Sequence, residues 1–567
     1  MVKEKNKISR NAKKQSIIRL ILLSGILVLV NILAQFAFHR FDMTQENRYS
    51  LSESSKDLAK ELDDIVYFKV YLDGDLPPGF LKLKNSLKEM LDEFRIYSDD
   101  NIEYEFIDPS AHPDEKQRVE LYKQLTEKGL FPTNLEETDK GQQSQKIIFP
   151  GAIVNYKSLE VPMQILKSKF GGNSDEMLNN SIENLEYEIS NILRKISRQK
   201  STSIAFLRGQ NELPTKQISD AANGLSDFYI VDTVSIDGKL DALKDYKLLI
   251  IAKPDTAFDE KDKFILDQFI MKGGRVLWLI DKMAMNMDSL EKRNTTVAIP
   301  YELNIDDMLF KYGVRINNDF VMDMQAAPIP VVTGYVGNQP KQEIFPWYYY
   351  PLLSADSKNP IVNNLNMVKT EFASSIDTIE TESVTKTILL TSSKLSRLQM
   401  APARVSLNIL RDKADPMMFN RRNIPIAVLL EGNFNSNYEN RLPTAIINSK
   451  DINYKAKSDT TKMIVVSDGD VISSFVSKKG NVYPLGYDRF TRQTFGNKSF
   501  VLNCIDYLCD NDAVLELRSK EIRLRLLDPA KIESPLFIQW LNVVLPTFLI
   551  IVFGLIFAFV RKRKFTN

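Results

Sequence analysis

The chain is 567 residues long, 44% apolar and 26% charged, with a formal net charge of +1. That composition supports packed cores, and the length exceeds what a single core holds, so two or more domains are expected. Without the N-terminal tail through Arg19 (seven basic residues, one acidic) and the four basic residues at the other end, the remainder carries about −9, which speaks against nucleic acid or an anionic lipid surface as its partner.

The first element is an apolar segment, Ile17 to Phe38, preceded by Lys3, Lys5, Lys7, Arg10, Lys13 and Lys14. Its counterpart at the far end, Leu536 to Val560, is followed at once by Arg561, Lys562, Arg563 and Lys564. Under the positive-inside bias both termini are cytoplasmic. At about 1.5 Å per residue the two segments cover about 33 and 38 Å against a hydrocarbon core of about 30 Å, so each is expected to span once. Everything between them is then one extracytoplasmic region tethered at both ends. A cleaved signal peptide is the alternative for the first segment. Its length, and the lack of suitably spaced small residues around Leu33 to Phe38, favour a retained anchor. The expected divisions are a basic tail (1–16), a span (17–38), a first α/β region (39–200), a second α/β region (201–528), a second span (536–560) and a basic tail (561–567).

Polar residues interrupt both spans. Ser24, Asn31 and Gln35 share one helical face, and Gln539 and Asn542 are three apart ahead of Pro546. Polar side chains within a span usually face other helices, which makes these five candidate contacts with a multi-span partner. Gln35 and Gln539 are also close enough to the ends to sit at the interface.

In the first region Ser50 and Glu53 have capping-box spacing, predicting a helix through Leu62. A strand at Ile65 to Leu72, a helix carrying Leu83, Leu87, Met90, Leu91 and Phe94, and a strand at Ile102 to Ile107 predict a parallel crossover. Lys146 to Tyr156 reads as a strand pair about a Pro-Gly turn. A helix is expected from about Ser181, with Asn180 and Glu183 as its cap pair, and the polar stretch Ser197 to Ser203 as a boundary.

The second region alternates. Ile204 to Leu207, Tyr229 to Val234, Leu248 to Ala252 and Val276 to Ile280 are short apolar strands, with a helix at Asp259 to Lys272 ended by Gly273 and Gly274. Such runs separated by amphipathic helices predict a doubly wound parallel sheet covered on both faces. Tyr301 through Asp323 adds a helix and a strand. From about 326 to 375 the pattern weakens among several prolines, and an insertion or long loop is expected. Strand patterns return at Ile388 to Leu390, Ala427 to Leu430 and Met463 to Val466, then a helix at Phe500 to Leu508 and a charged connector from Arg518 to Asp528. Cys504 and Cys509, about 140° apart around a helix axis and beyond disulfide reach, read as small core residues.

The chemistry is limited. The two histidines, His39 at the membrane boundary and His112 in a polar loop, give no nucleophile-base pairing, and neither cysteine lies in a strand-to-helix elbow. No P-loop, dinucleotide fingerprint or zinc-type Cys/His spacing occurs, so no metal or other cofactor is expected and the chain reads as a non-enzyme. What remains are carboxylates after predicted strands: Glu212, Asp281, Asp468 and Asp470. In an open parallel sheet ligands bind beyond the carboxyl ends of the strands, which makes these four a candidate crevice. Asp and Gly in such places also make ordinary turns and caps, and Asp-Gly-Asp lacks the further ligands of a calcium loop.

A series of strings in order resembles one family. RFDMTQENRYSLSE (Arg40 to Glu53), VYLDGDLP, FIDP, IFPGAIVNY, SIENLEYEIS, KGGRVLWLID, LLEGNFNS, VVSDGD, FGNKSFVLNCIDYL and LRSKEIRLRLLD (Leu517 to Asp528) resemble the GldG family of gliding-motility-associated ABC transporter auxiliary, substrate-binding-like proteins. The chain departs from it at Arg208 to Glu212, where RGQNE replaces a Gly-His-Gly-Glu-like string. The resemblance implies a two-pass subunit of the bacterial inner membrane with a periplasmic domain, working with a multi-span permease and a separate P-loop ATPase. It also implies a glutamine-amidotransferase-like fold lacking the catalytic residues. Two functions fit: an interaction platform coupling the transporter to an extracytoplasmic protein, or a tethered solute-binding subunit that recognises a cargo.

Overall fold

A computed structural model describes residues 18–26, 28–30, 50–139, 142–167, 174–197, 201–293, 295–336, 339–355, 359–381, 383–411, 414–509 and 535–565. They form a mixed α/β structure with several sheets and one C-terminal apolar helix.

The first sheet runs in the order Ile102–Phe106, Val66–Val70, Gly151–Tyr156, Leu159–Gln164. The expected crossover is present: Val66 pairs in parallel with Ile102, and the helix Pro78–Tyr97 links the two strands. Leu83, Leu87, Leu91 and Phe94 recur at helical spacing and are buried against Val66, Phe68 and Val70. Three local expectations are corrected. The helix Glu53–Lys60 is capped by Ser52, whose hydroxyl accepts from the Ser55 amide at 3.2 Å, so Glu53 lies one residue inside and pairs with Lys56 at 2.8 Å. Lys146 to Tyr156 is no hairpin. Gln142–Ile148 pairs with Thr133–Asp139, while Gly151–Tyr156 pairs with Val66–Val70 and Leu159–Gln164. Pro150 has no amide to close a hairpin; its carbonyl accepts from Ile165 at 2.9 Å. The later helix begins at Ser174 and breaks at Asn184, giving Ser174–Glu183 and Leu185–Ser197; the Asn184 side-chain amide donates to the Asn180 carbonyl at 2.7 Å and shares that acceptor with the Asn184 backbone N–H at 3.2 Å.

The second sheet has seven strands, in the order Val384–Thr391, Pro425–Gly432, Thr461–Val466, Arg275–Leu279, Leu248–Ala252, Ser203–Arg208, Ile230–Ser235. The last five are parallel and the first two antiparallel, so the sheet is mixed where an all-parallel one was expected. Alternate residues feed opposite cores. Ile204, Phe206 and Ile250 pack with Ile218 and Leu225 of the helix Thr215–Ser226 and with Phe500 and Cys504 of the helix Asn497–Leu508. Ala205, Leu249, Ile251 and Trp278 pack with Ile265 and Leu266 of the helix Glu260–Met271 and with Leu309 of the helix Asp306–Tyr312. Both cysteines are buried, as expected of small core residues.

Where an insertion or long loop was expected, from 326 to 375, the chain first makes a long ribbon, Ala326–Val336 against Gln339–Leu353, with Pro328 opposite Pro346. Proline is tolerated there because only two strands pair at Pro328 and Pro346, leaving each an edge that needs no amide donor. At its base Trp347, Tyr349 and Tyr350 are buried with Phe320 and Phe372.

The first and second sheets meet through a buried ion pair. Arg194, on Leu185–Ser197, reaches Asp506, on Asn497–Leu508, at 3.1 and 3.3 Å, and the Tyr229 hydroxyl donates to the same carboxylate at 2.6 Å.

The C-terminal helix, Pro535–Phe565, is a separate compact unit. Its Trp540–Val560 stretch of 21 residues has a mean hydropathy of 2.9 and is the one helix long and apolar enough to cross a membrane among the described residues. Ile18–Val30 is a shorter apolar helix. The remainder of the expected first span, the tail 1–16 and the connector Arg518 to Asp528 lie outside the described residues.

Candidate functional site

Parallel strands in register end side by side, so the residues that follow them converge. Ala252 pairs with Leu279, and Leu279 with Val466. The next residues out are Lys253, then Asp281, then Asp468 and Asp470. Carboxylate oxygens of Asp281, Asp468 and Asp470 lie within 4.8 Å of one another. Three of the four residues proposed from sequence are therefore neighbours. Glu212 is not among them: its carboxylate accepts from the amides of Gly209 at 3.0 Å and Gln210 at 3.1 Å and closes its own turn, and burial raises its pKa.

The cation of the cluster is Lys253. Its ammonium stands 3.0 Å from Asp281 and 2.5 Å from Asp470. Lys253 adopts φ +56°, an uncommon backbone conformation for a residue with a side chain. Gly469 fits because it has none: a Cβ there would lie 2.4 Å from the Lys253 Cβ. The Gly469 amide donates to Asp281 at 2.6 Å. Asp468 accepts from the Asp470 amide at 2.7 Å and from the Glu371 amide at 2.6 Å, capping the short helical turn Gly469–Ile472. Turn chemistry and cluster formation thus coexist in the same Asp-Gly-Asp.

A second cation lies alongside. The Lys369 ammonium is 2.9 Å from Glu371, 3.8 Å from Asp488 and 5.1 Å from the centre of the Tyr350 ring. Lys253, Lys369, Glu371 and Asp488 were not singled out from sequence. Lys253 was open to the same strand-end argument as Asp281, whereas Lys369 ends, and Glu371 follows, a strand of only two residues in a stretch without pattern.

The electrostatics follow from burial and crowding. Burial pushes the Asp470 carboxyl up to about 7; Lys253 opposes the rise, and Asp281 and Glu371 add to it. Burial, with Asp470 and Asp281 close by, holds Asp468 well above the usual carboxylate range. Burial alone would lower Lys253, but Asp281 and Asp470 keep it protonated well above its ordinary value. Burial would raise Glu371, yet the Lys369 ammonium holds it below.

Lys253, Lys369, Glu371, Asp470 and Asp488 line the floor of a cavity of about 1530 Å³, while Asp281 and Asp468 are buried and lie outside its lining. The ribbon supplies Ile329, Val331 and Phe345 to one wall, and Phe475, Tyr487 and Phe490 supply another. Arg411 and Arg489 are exposed members of the lining. No histidine or cysteine lines the cavity among the described residues. Three close carboxylates have the charge to hold a divalent cation, but the Lys253 ammonium already stands between two of them. The arrangement is suited to binding a polar ligand by charge and shape.

Of the membrane candidates, Ser24 lies in the short N-terminal helix, and Gln539 and Asn542 lie in the C-terminal helix. Asn31 and Gln35 lie outside the described residues.

Comparison with known proteins gives four findings. A family model described as an ABC-type uncharacterized transport system matches residues 201–504. A model for a domain of unknown function matches residues 45–155. An uncharacterized protein of Borreliella burgdorferi is 20% identical over 566 residues, covering 97% of this chain and 99% of its own length. The mmIFT52 N-terminal domain superposes on 54% of this chain and 96% of its own, with a TM-score of 0.30 and 13% identity.

Proposed function

The chain belongs to the ABC-type uncharacterized transport system family of auxiliary proteins, and from that membership we propose that it is a non-catalytic accessory membrane subunit whose partners are a multi-span permease and a separate P-loop ATPase. Family membership carries this reading, and the apolar helix Trp540–Val560 supports membrane association. In the full proposal the chain crosses the bacterial inner membrane twice, with both termini cytoplasmic and the two α/β regions in the periplasm, the second a doubly wound sheet domain. The GldG-like strings extend the proposal to gliding motility.

The experiment is purification of the intact chain in mild detergent from its native membrane, followed by mass spectrometry. A permease and an ATPase recovered in fixed ratio are expected. Recovery of the chain alone, under conditions that keep other membrane complexes whole, would remove the subunit reading. A second reading, a tethered solute-binding subunit, is favoured by the charged cavity at the carboxyl ends of the strands, the place where open α/β sheets bind ligands.

A further inference from the structure

We propose that the cavity binds a short free peptide, with the peptide's terminal ammonium on the carboxylate floor and its carboxylate at the arginine rim. This deepens the solute-binding reading and rests on it.

Charge bookkeeping at the floor is the first argument. Each of its two ammonium groups is shared by two carboxylates: Lys253 by Asp281 and Asp470, and Lys369 by Glu371 and Asp488. With Asp468 left aside as a backbone cap, the two ammonium groups face Asp470, Glu371 and Asp488 of the lining and the buried Asp281 beside them, and an entering cation favours the charged form of Asp470. A further cation is the group the floor lacks. A primary ammonium suits it, having three donors and no acceptor.

An orphan hydroxyl is the second and independent argument. Ser474 lines the same cavity, is 2% exposed, and its hydroxyl has no hydrogen-bond partner. A buried hydroxyl without a partner is unfavourable, and a hydrogen-bonding group entering the cavity removes that cost.

The rim and walls narrow the class. Arg411 and Arg489 present guanidinium groups, which pair with a carboxylate through two parallel hydrogen bonds. The ligand is therefore expected to carry opposite charges at its two ends. Ile329 and Phe345 of the lining offer apolar contact to side chains, while Phe475 and Phe490 hold the Arg489 guanidinium, 4.8 and 4.6 Å from their ring centres. The cavity of about 1530 Å³ exceeds the range of roughly 300–1,000 Å³ usual for small-molecule pockets, which leaves room for several residues.

The test is isothermal titration calorimetry of the intact chain in detergent. The probes are the peptide Ala-Phe-Ala, its N-acetylated form, its C-terminal amide, spermidine and calcium ion. The free peptide is expected to bind, and acetylation to weaken it by about tenfold or more, a loss of about 1.4 kcal/mol or more. Acetylation makes the peptide more apolar, so uptake by detergent shifts the result the opposite way. Asp470→Asn is expected to abolish the preference for the free amine. Arg489→Ala, at an exposed position, keeps the proposal testable should Asp470→Asn fail to fold; it is expected to abolish the preference for the free acid over the amide. Equal binding of free and acetylated peptide, binding of spermidine or calcium without the peptide, or no binding of any probe would each overturn the proposal. Co-purification of transporter subunits reads the accessory role separately, so either idea can fail while the other stands.

Discussion

Gly469 shows how a single residue lets the site close. Its position requires close approach to Lys253, and the amide it contributes to Asp281 depends on that approach. Gly469→Ala is expected to destabilise the protein by about 1–3 kcal/mol, the usual effect of overpacking, read as a lower urea midpoint with an unchanged slope. An unchanged midpoint would mean that the Lys253 turn gives way at no cost. Asp470 offers a test by pH. Its native pKa of about 7 lies above the ordinary 3.8, so between those values the native state holds a proton that the unfolded state has released. Stability then falls as pH rises from about 4 to about 7, and is flat for this group beyond. Asp470→Asn removes that dependence, so the variant is expected to gain on the wild type in unfolding midpoint as pH rises through the window. Parallel curves would show that Asp470 does not titrate there. Sequence reasoning reached Asp281, Asp468 and Asp470 by one rule, that residues after parallel strands converge. The same rule pointed to Lys253, but a lysine after an apolar run looks like an ordinary surface residue until its two partners are seen.

Among elements, the join between the helices Leu185–Ser197 and Asn497–Leu508 bears on how the first sheet is held to the second. Arg194 and Asp506 are each 5% exposed, so removing one leaves the other as an uncompensated buried charge. Arg194→Ala or Asp506→Ala is expected to cost about 3–5 kcal/mol by denaturant unfolding. Replacing both by leucine is expected to cost less than the sum of the single changes, because the stranded charge disappears with its partner. Additive costs would mean that the two side chains act independently. Periodicity located both helices, but the partnership of residues 312 positions apart was not legible. The ribbon was missed for a related reason: its prolines weaken a strand pattern, and only pairing across Pro328 and Pro346 shows that they are harmless.

For the whole molecule, the proposed topology puts the basic residues after the apolar helix Trp540–Val560 in the cytoplasm, and that orientation can be tested. An epitope tag added after Asn567 is expected to survive protease supplied to the periplasmic face, while the α/β regions are digested. Loss of the tag with the rest would reverse the orientation. The test is independent of any partner, because it reads only which side of the bilayer each part occupies.

The sequence by itself determined the α/β class, most strands of the two large sheets, the apolar C-terminal segment and the carboxylates beyond the strand ends, because hydrophobic period and strand-end position are local properties of the chain. The tertiary structure alone decided which way the strands at one edge run and that a lysine holds the acidic cluster together. It also decided that Glu212 closes its own turn away from that cluster, and that a ribbon walls a large charged cavity. Each of these depends on groups far apart in the chain meeting in a low-dielectric setting, where pairing and burial set their energies, and no local pattern records such meetings.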